Sequence, residues 1–138
     1  MVFDVDGCLA LGATPGGQGG VALPGAVELL TELQRRGVRI ACCTNGAGRP
    51  PEVYAAGLRA VGLPVEDAEV ITPPVVAAEH IAAGATVLVL GGEGVLAPLQ
   101  RAGLDIVEPG ARADVVLVGP MAQVEAAQIQ AWPQASPT

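Results

Sequence analysis

The residues best equipped for chemistry stand near the start of the chain, in Asp4-Val5-Asp6-Gly7, directly after the apolar Met1-Val2-Phe3. Two carboxylates two positions apart at the end of a short strand point the same way. The glycine then lets the chain turn sharply away. Such a pair presents, at one point, a nucleophilic carboxylate, a second carboxylate for proton transfer, and oxygen ligands for Mg²⁺. The same four residues also suit a plain turn, since Asp and Gly are common turn formers. A second polar cluster, Thr44-Asn45-Gly46, follows the apolar run Val38–Cys43 and reads as a turn with helix-capping potential.

The elements that must position these residues alternate between strand and helix. Met1–Phe3 reads as a strand, and Leu11 to Gly20, rich in glycine, as a mobile loop. Pro24-Gly25 opens a helix to about Arg36, with Val27, Leu30 and Leu33 (plus Leu29) on one face and Gly37 as its stop. Val38–Cys43 is an apolar strand, Pro50-Pro51 starts a helix that Gly62 closes, and Val70-Ile71 is a short strand. Pro74–Ala83 is helical, Thr86–Leu90 a buried strand, Glu93–Ala102 a helix stopped by Gly103, Val115–Val118 a strand and Gln123–Ala131 a helix. This alternation means βαβ units and a mainly parallel, Rossmann-like α/β sheet. Ligands in such sheets bind at the carboxyl ends of the strands. Asp4 and Asp6 end the first strand and Thr44-Asn45 the second long one, so both clusters fall on one edge.

Composition narrows the choice of partner. With 51% hydrophobic and only 15% charged residues, the chain has the makings of a packed core rather than a disordered segment. A net charge of −7 with no basic run argues against nucleic acid, whose phosphates need clustered Lys and Arg. No apolar run is long enough to span a membrane, and no signal-peptide pattern opens the chain, so a cytoplasmic protein is expected. Cys8, Cys42 and Cys43 read as buried, reduced thiols. His80 stands alone, without zinc-type spacing around it.

Phe3-Asp4-Val5-Asp6-Gly7-Cys8-Leu9, with the strand Ile40-Ala41-Cys42-Cys43 ending in Thr44-Asn45, resembles the haloacid dehalogenase superfamily of phosphohydrolases. The helix start Leu23-Pro24-Gly25-Ala26 and the turn Thr44-Asn45-Gly46 are similar to the branch of 4-nitrophenylphosphatases, phosphoglycolate phosphatases and sugar or nucleotide phosphatases. In that branch an α/β cap is inserted after the second motif. The resemblance implies that Asp4 is the nucleophile, forming an aspartyl-phosphate, and that Asp6 is the proton donor and acceptor. It implies Mg²⁺ held by Asp4 and Asp6, the latter through its carbonyl. It further implies phosphate bound by Thr44 with the amides of Asn45 and Gly46, and a small phosphorylated metabolite as substrate. The domain expectation is an N-terminal part of the core over 1–72, a partial cap over 73–131, and a disordered tail over 132–138. Self-association through apolar cap surface is a further expectation.

The pattern is also incomplete. The family carries a third motif with Lys or Arg and a fourth, acidic one beginning Gly-Asp, and both are expected after the cap. This sequence contains no Lys, and Asp105 and Asp114 lack the Gly-Asp context. The reading is a truncated phosphatase, with weak turnover or none in these 138 residues. Two alternatives stay open. One is a non-catalytic domain that binds a phosphorylated ligand or a partner. The other is a dinucleotide-binding fragment, suggested by Gly92-Glu93-Gly94-Val95-Leu96-Ala97 after a strand.

Overall fold

The computed structural model describes residues 1–14, 16–17 and 19–121; the expected helix at Gln123–Ala131 and the tail 132–138 lie outside them. The chain divides into two compact units. The first comprises Met1–Gly46 and Pro51–Pro73, the second Ala47–Pro50 and the residues from Pro74 onward.

In the first unit, β1 (Val2–Asp4), β4 (Ala41–Cys43) and β5 (Val70–Ile71) form a parallel sheet in the order β1-β4-β5. The pairs Phe3↔Cys42 and Cys42↔Val70 make one row, and Asp4↔Cys43 and Cys43↔Ile71 the next. Because side chains alternate across a strand, the first row joins the core while the second row, with Asp4, faces the other way. Phe3, Cys42 and Val70 pack with Val5, Leu9, Leu30, Tyr54, Leu58 and Leu63 in one cluster. Each fully buried Leu there contributes roughly 1.5–3 kcal/mol. Among the described residues β1 has a neighbouring strand on one side only, and its Val2 is 68% exposed.

The helices follow the sequence signals closely. α1 (Ala26–Arg35) starts after Gly25 and buries Ala26 and Leu30, whereas Leu29 turns outward. At its end Gly37 donates to Gln34 O and Val38 to Leu33 O. That pair of bonds satisfies the last carbonyls and turns the chain into the next strand. α2 (Pro51–Ala60) ends in the same way at Gly62 and Leu63. Residues 38–40 precede the first ladder pair, Val2↔Ala41, so the observed strand is shorter than its apolar run.

Three further features depart from the sequence expectation. The stretch read as a mobile loop is flanked by an antiparallel hairpin of β2 (Ala10–Leu11) and β3 (Val21–Ala22), and Gly16 and Gly17 within it are buried. Glycine clusters suggest slack by composition, but here the missing side chains permit close packing. Cys8 is exposed rather than buried, because it sits in the turn after Asp6; Cys42 is buried and Cys43 partly so, all as free thiols. A strand at Asp105–Val107 is the third feature, too short and too polar at its first residue to stand out.

In the second unit, β6 (Thr86–Leu90) is central, flanked in parallel by β7 (Asp105–Val107) and β8 (Val115–Val118). Both faces of β6 are apolar. Val87 packs with Val95 and Leu99 of α4 (Glu93–Arg101) and with Ala78 of α3 (Pro73–His80). Leu88 and Leu90 pack with Val107, Val116 and Met121. Among the described residues no helix is long and apolar enough to cross a membrane.

Candidate active site

β1 delivers Asp4 to the carboxyl end of the sheet, where it is exposed. The chain then closes a tight turn: Leu9 and Ala10 donate to Val5 O, and Gly7 donates to Ala10 O. Val5 is fully buried and anchors this turn in the core, while Asp6 projects from the opposite side with Asp4.

The Asp6 carboxylate is gripped from two directions. Gly16 N–H donates to Oδ1 at 2.9 Å and Oδ2 at 3.0 Å, and Gly17 N–H donates to Oδ1 at 3.1 Å. From just beyond β4, the Thr44 hydroxyl donates to Oδ2 at 3.1 Å. Donors from two separate segments, the backbone amides of Gly16 and Gly17 and the Thr44 hydroxyl, fix the orientation of the Asp6 carboxyl group. The two glycine amides are a feature that motif reading missed. Their signal lay in the sequence as a Gly-Gly pair at the sheet edge, but nothing there marked Asp6 as its target. Both residues adopt positive φ, +85° and +71°, and a Cβ on Gly16 would overlap the ring of Tyr54. Only glycine meets both conditions.

Thr44 is itself held in place. Its backbone N–H donates to Ile71 O at 3.1 Å, its side chain is buried, and its hydroxyl oxygen accepts the Gly46 N–H at 3.0 Å. The Gly46 amide therefore points at Thr44, while Asn45 is exposed beside them. Asp4, Asp6, Thr44, Asn45 and Gly46 thus occupy one edge of one unit.

Other candidates stand apart. His80 is exposed on α3, with its Nδ1 at 2.8 Å from Val76 O. Asp114 ties β8 to β6, accepting from Thr86 N–H at 2.9 Å and from its hydroxyl at 2.8 Å. Those donors, the backbone one foremost, hold its carboxyl below the ordinary range. The dinucleotide pattern has a different physical basis here. Its second glycine is where a backbone would approach a pyrophosphate. A Cβ on Gly94 would instead overlap backbone atoms of Ala47, Gly48 and Arg49, so the chain itself fills that space.

The described residues contain no group of three His, Cys, Asp or Glu side chains suited to a metal. The hard oxygen donors of Asp4 and Asp6 nonetheless fit Mg²⁺, which binds through one or two carboxylates and keeps several waters.

A family model described as haloacid dehalogenase-like hydrolase matches residues 1–105. The chain belongs to this family. Among the relatives of this chain is an acid sugar phosphatase of Staphylococcus saprophyticus, 30% identical over 121 residues, which are 86% of this chain and 44% of that protein. A 5'-nucleotidase of Bacillus subtilis is 34% identical over 97 residues, 68% of this chain and 37% of that protein. Of solved structures, a p-nitrophenyl phosphatase from Archaeoglobus fulgidus superposes with a TM-score of 0.74 at 26% identity, covering 98% of this chain and 48% of that one. A glycerol phosphate phosphatase from Mycobacterium tuberculosis, in complex with magnesium, gives 0.76 at 25% identity, covering 98% and 40%. This haloacid dehalogenase-like chain therefore spans less than half the length of these relatives. The likeness agrees with the phosphatase branch that its first two motifs resemble.

Proposed function

We propose that this chain carries the nucleophile and phosphate-binding half of a Mg²⁺-dependent phosphatase acting on a small phosphate monoester. The observation that carries the reading is the Asp4–Asp6–Thr44 cluster: an exposed carboxylate beside a second one that is held by a buried threonine. An Asp4 oxygen attacks phosphorus, forming an aspartyl-phosphate as the bond to the ester oxygen breaks. Asp6 gives its proton to that departing oxygen. Asp6 then takes a proton from water as the water oxygen attacks the phosphorus, releasing inorganic phosphate and restoring Asp4. Thr44 orients the phosphoryl group by passing its hydroxyl hydrogen bond from Asp6 to a phosphoryl oxygen. Asp4 and the Asp6 carbonyl would hold Mg²⁺, which supplies charge neutralisation on the phosphoryl oxygens.

A second reading has its own support. The sequence has no Lys, and the described residues contain no third carboxylate in the cluster. Both facts favour binding of a phosphorylated ligand with slow turnover or none in these 138 residues.

The test is chemical trapping. The chain is mixed with p-nitrophenyl phosphate and Mg²⁺, quenched in acid and digested for mass spectrometry. A phosphate adduct on the Asp4 peptide, absent in Asp4→Asn, is the expected result. Phosphate binding without any adduct would move the chain to the second reading. An adduct on another residue would overturn the assignment of Asp4.

A further inference from the structure

Tyr54 is the only tyrosine in the sequence and is 4% exposed, on the buried face of α2 with Ala55 and Leu58. Its ring touches two glycines that serve the site from different segments. The Cδ1 and Cε1 edge fills the space where Gly16 would carry a Cβ. The phenol end does the same at Gly46, where a Cβ would stand 2.6 Å from the Tyr54 hydroxyl oxygen and 2.7 Å from Cζ. Gly16 donates to Asp6, Gly46 donates to Thr44, and Thr44 donates to Asp6. The contacts form a closed circuit: Asp6, Gly16, Tyr54, Gly46, Thr44 and back to Asp6.

We propose that Tyr54 is a positioning residue, a rigid strut that sets the spacing between the turn gripping Asp6 and the loop carrying Thr44. The proposal rests on the phosphatase reading above for the meaning of that spacing, while its geometry stands on the contacts alone. A ring with two torsions loses little freedom when buried, so it holds distance better than a flexible aliphatic chain does. A purely core-filling role would need only an apolar side chain of similar volume. It would not require the phenol oxygen to rest against the loop glycine.

Two variants of the full chain separate these roles. Tyr54→Phe removes only the hydroxyl part of the contact at Gly46 and keeps the ring carbons against Gly46 and Gly16. Tyr54→Leu removes the ring contacts at both glycines. Amide hydrogen exchange at Gly16 and Gly46 carries the test, with the Leu30 amide of α1 as an internal control. In Tyr54→Phe we expect Gly46 to exchange severalfold faster, since the hydroxyl part of its contact is lost, with Gly16 unchanged. In Tyr54→Leu both should accelerate while Leu30 does not. Titration with inorganic phosphate should show several-fold weaker binding by Tyr54→Phe at an unchanged melting temperature. Unaltered exchange at Gly16 and Gly46 in both variants would overturn the proposal. So would acceleration in step with Leu30, which marks a global loss of stability. If Tyr54→Leu does not fold, Tyr54→Phe decides alone. A wild-type chain that fails to bind phosphate would sink the phosphatase reading and leave the exchange result to judge the strut.

Discussion

The hydroxyl of Thr44 stands 3.1 Å from Asp6 Oδ2, so residues 38 positions apart, each just beyond the end of a parallel strand, meet in one hydrogen bond. The same oxygen accepts the Gly46 N–H, which makes Thr44 the hinge pin between the acid and the loop beyond it.

Replacing this pin has a defined cost. Thr44→Val keeps the shape but leaves the buried Gly46 N–H without its acceptor, a loss of about 1–3 kcal/mol. It should also abolish detectable binding of inorganic phosphate, whereas Thr44→Ser retains both. Urea denaturation and a phosphate titration check this. A Val variant that binds phosphate as well as the wild type would remove Thr44 from the site.

Burial within β4 raises the Cys42 thiol from an ordinary 9.0 to about 11, with minor help from nearby acidic groups. The fold therefore favours the protonated form. Its contribution to stability is complete below about pH 9 and is lost as pH rises through about 11. We expect stability to fall over that window and the fall to shrink in Cys42→Ala. At pH 8 a thiol reagent should label the exposed Cys8 first and reach Cys42 only on unfolding. Equal labelling rates for the two in the folded chain would contradict the packing described.

Thr72, directly after β5, is 1% exposed, and its hydroxyl has no hydrogen-bond partner among the described residues. A buried polar group in that position is a cost rather than a contribution. Thr72→Val should therefore stabilise the chain by about 1 kcal/mol, read as a higher denaturation midpoint. A clear loss of stability would mean that the hydroxyl is used.

Much of this arrangement is legible in the sequence. The period-two placement of Asp4 and Asp6 around the buried Val5 specifies which way the carboxylates face. Glycines 37, 62 and 103 each mark a helix end, because each combines positive φ with the bond pattern that closes a helix. What escaped notice depends on contacts between distant segments. Nothing local in Gly16-Gly17 says that its amides meet Asp6, since that contact exists only once the β2–β3 hairpin and α2 are in place. The Gly94 pattern misled for the opposite reason. A glycine selected for close approach looks the same whether a nucleotide or the chain's own backbone does the approaching.

The glycine-rich passage between the two hairpin strands bears on how this protein tolerates change. By composition it looks like the natural place to lengthen, tag or cut the chain, as surface linkers usually are. With Gly16 and Gly17 buried and bonded to Asp6, it is among the least forgiving. A single inserted residue there would slide both amides off the carboxylate. Natural length variation should instead collect elsewhere on the surface, in exposed turns such as the one around Gly110.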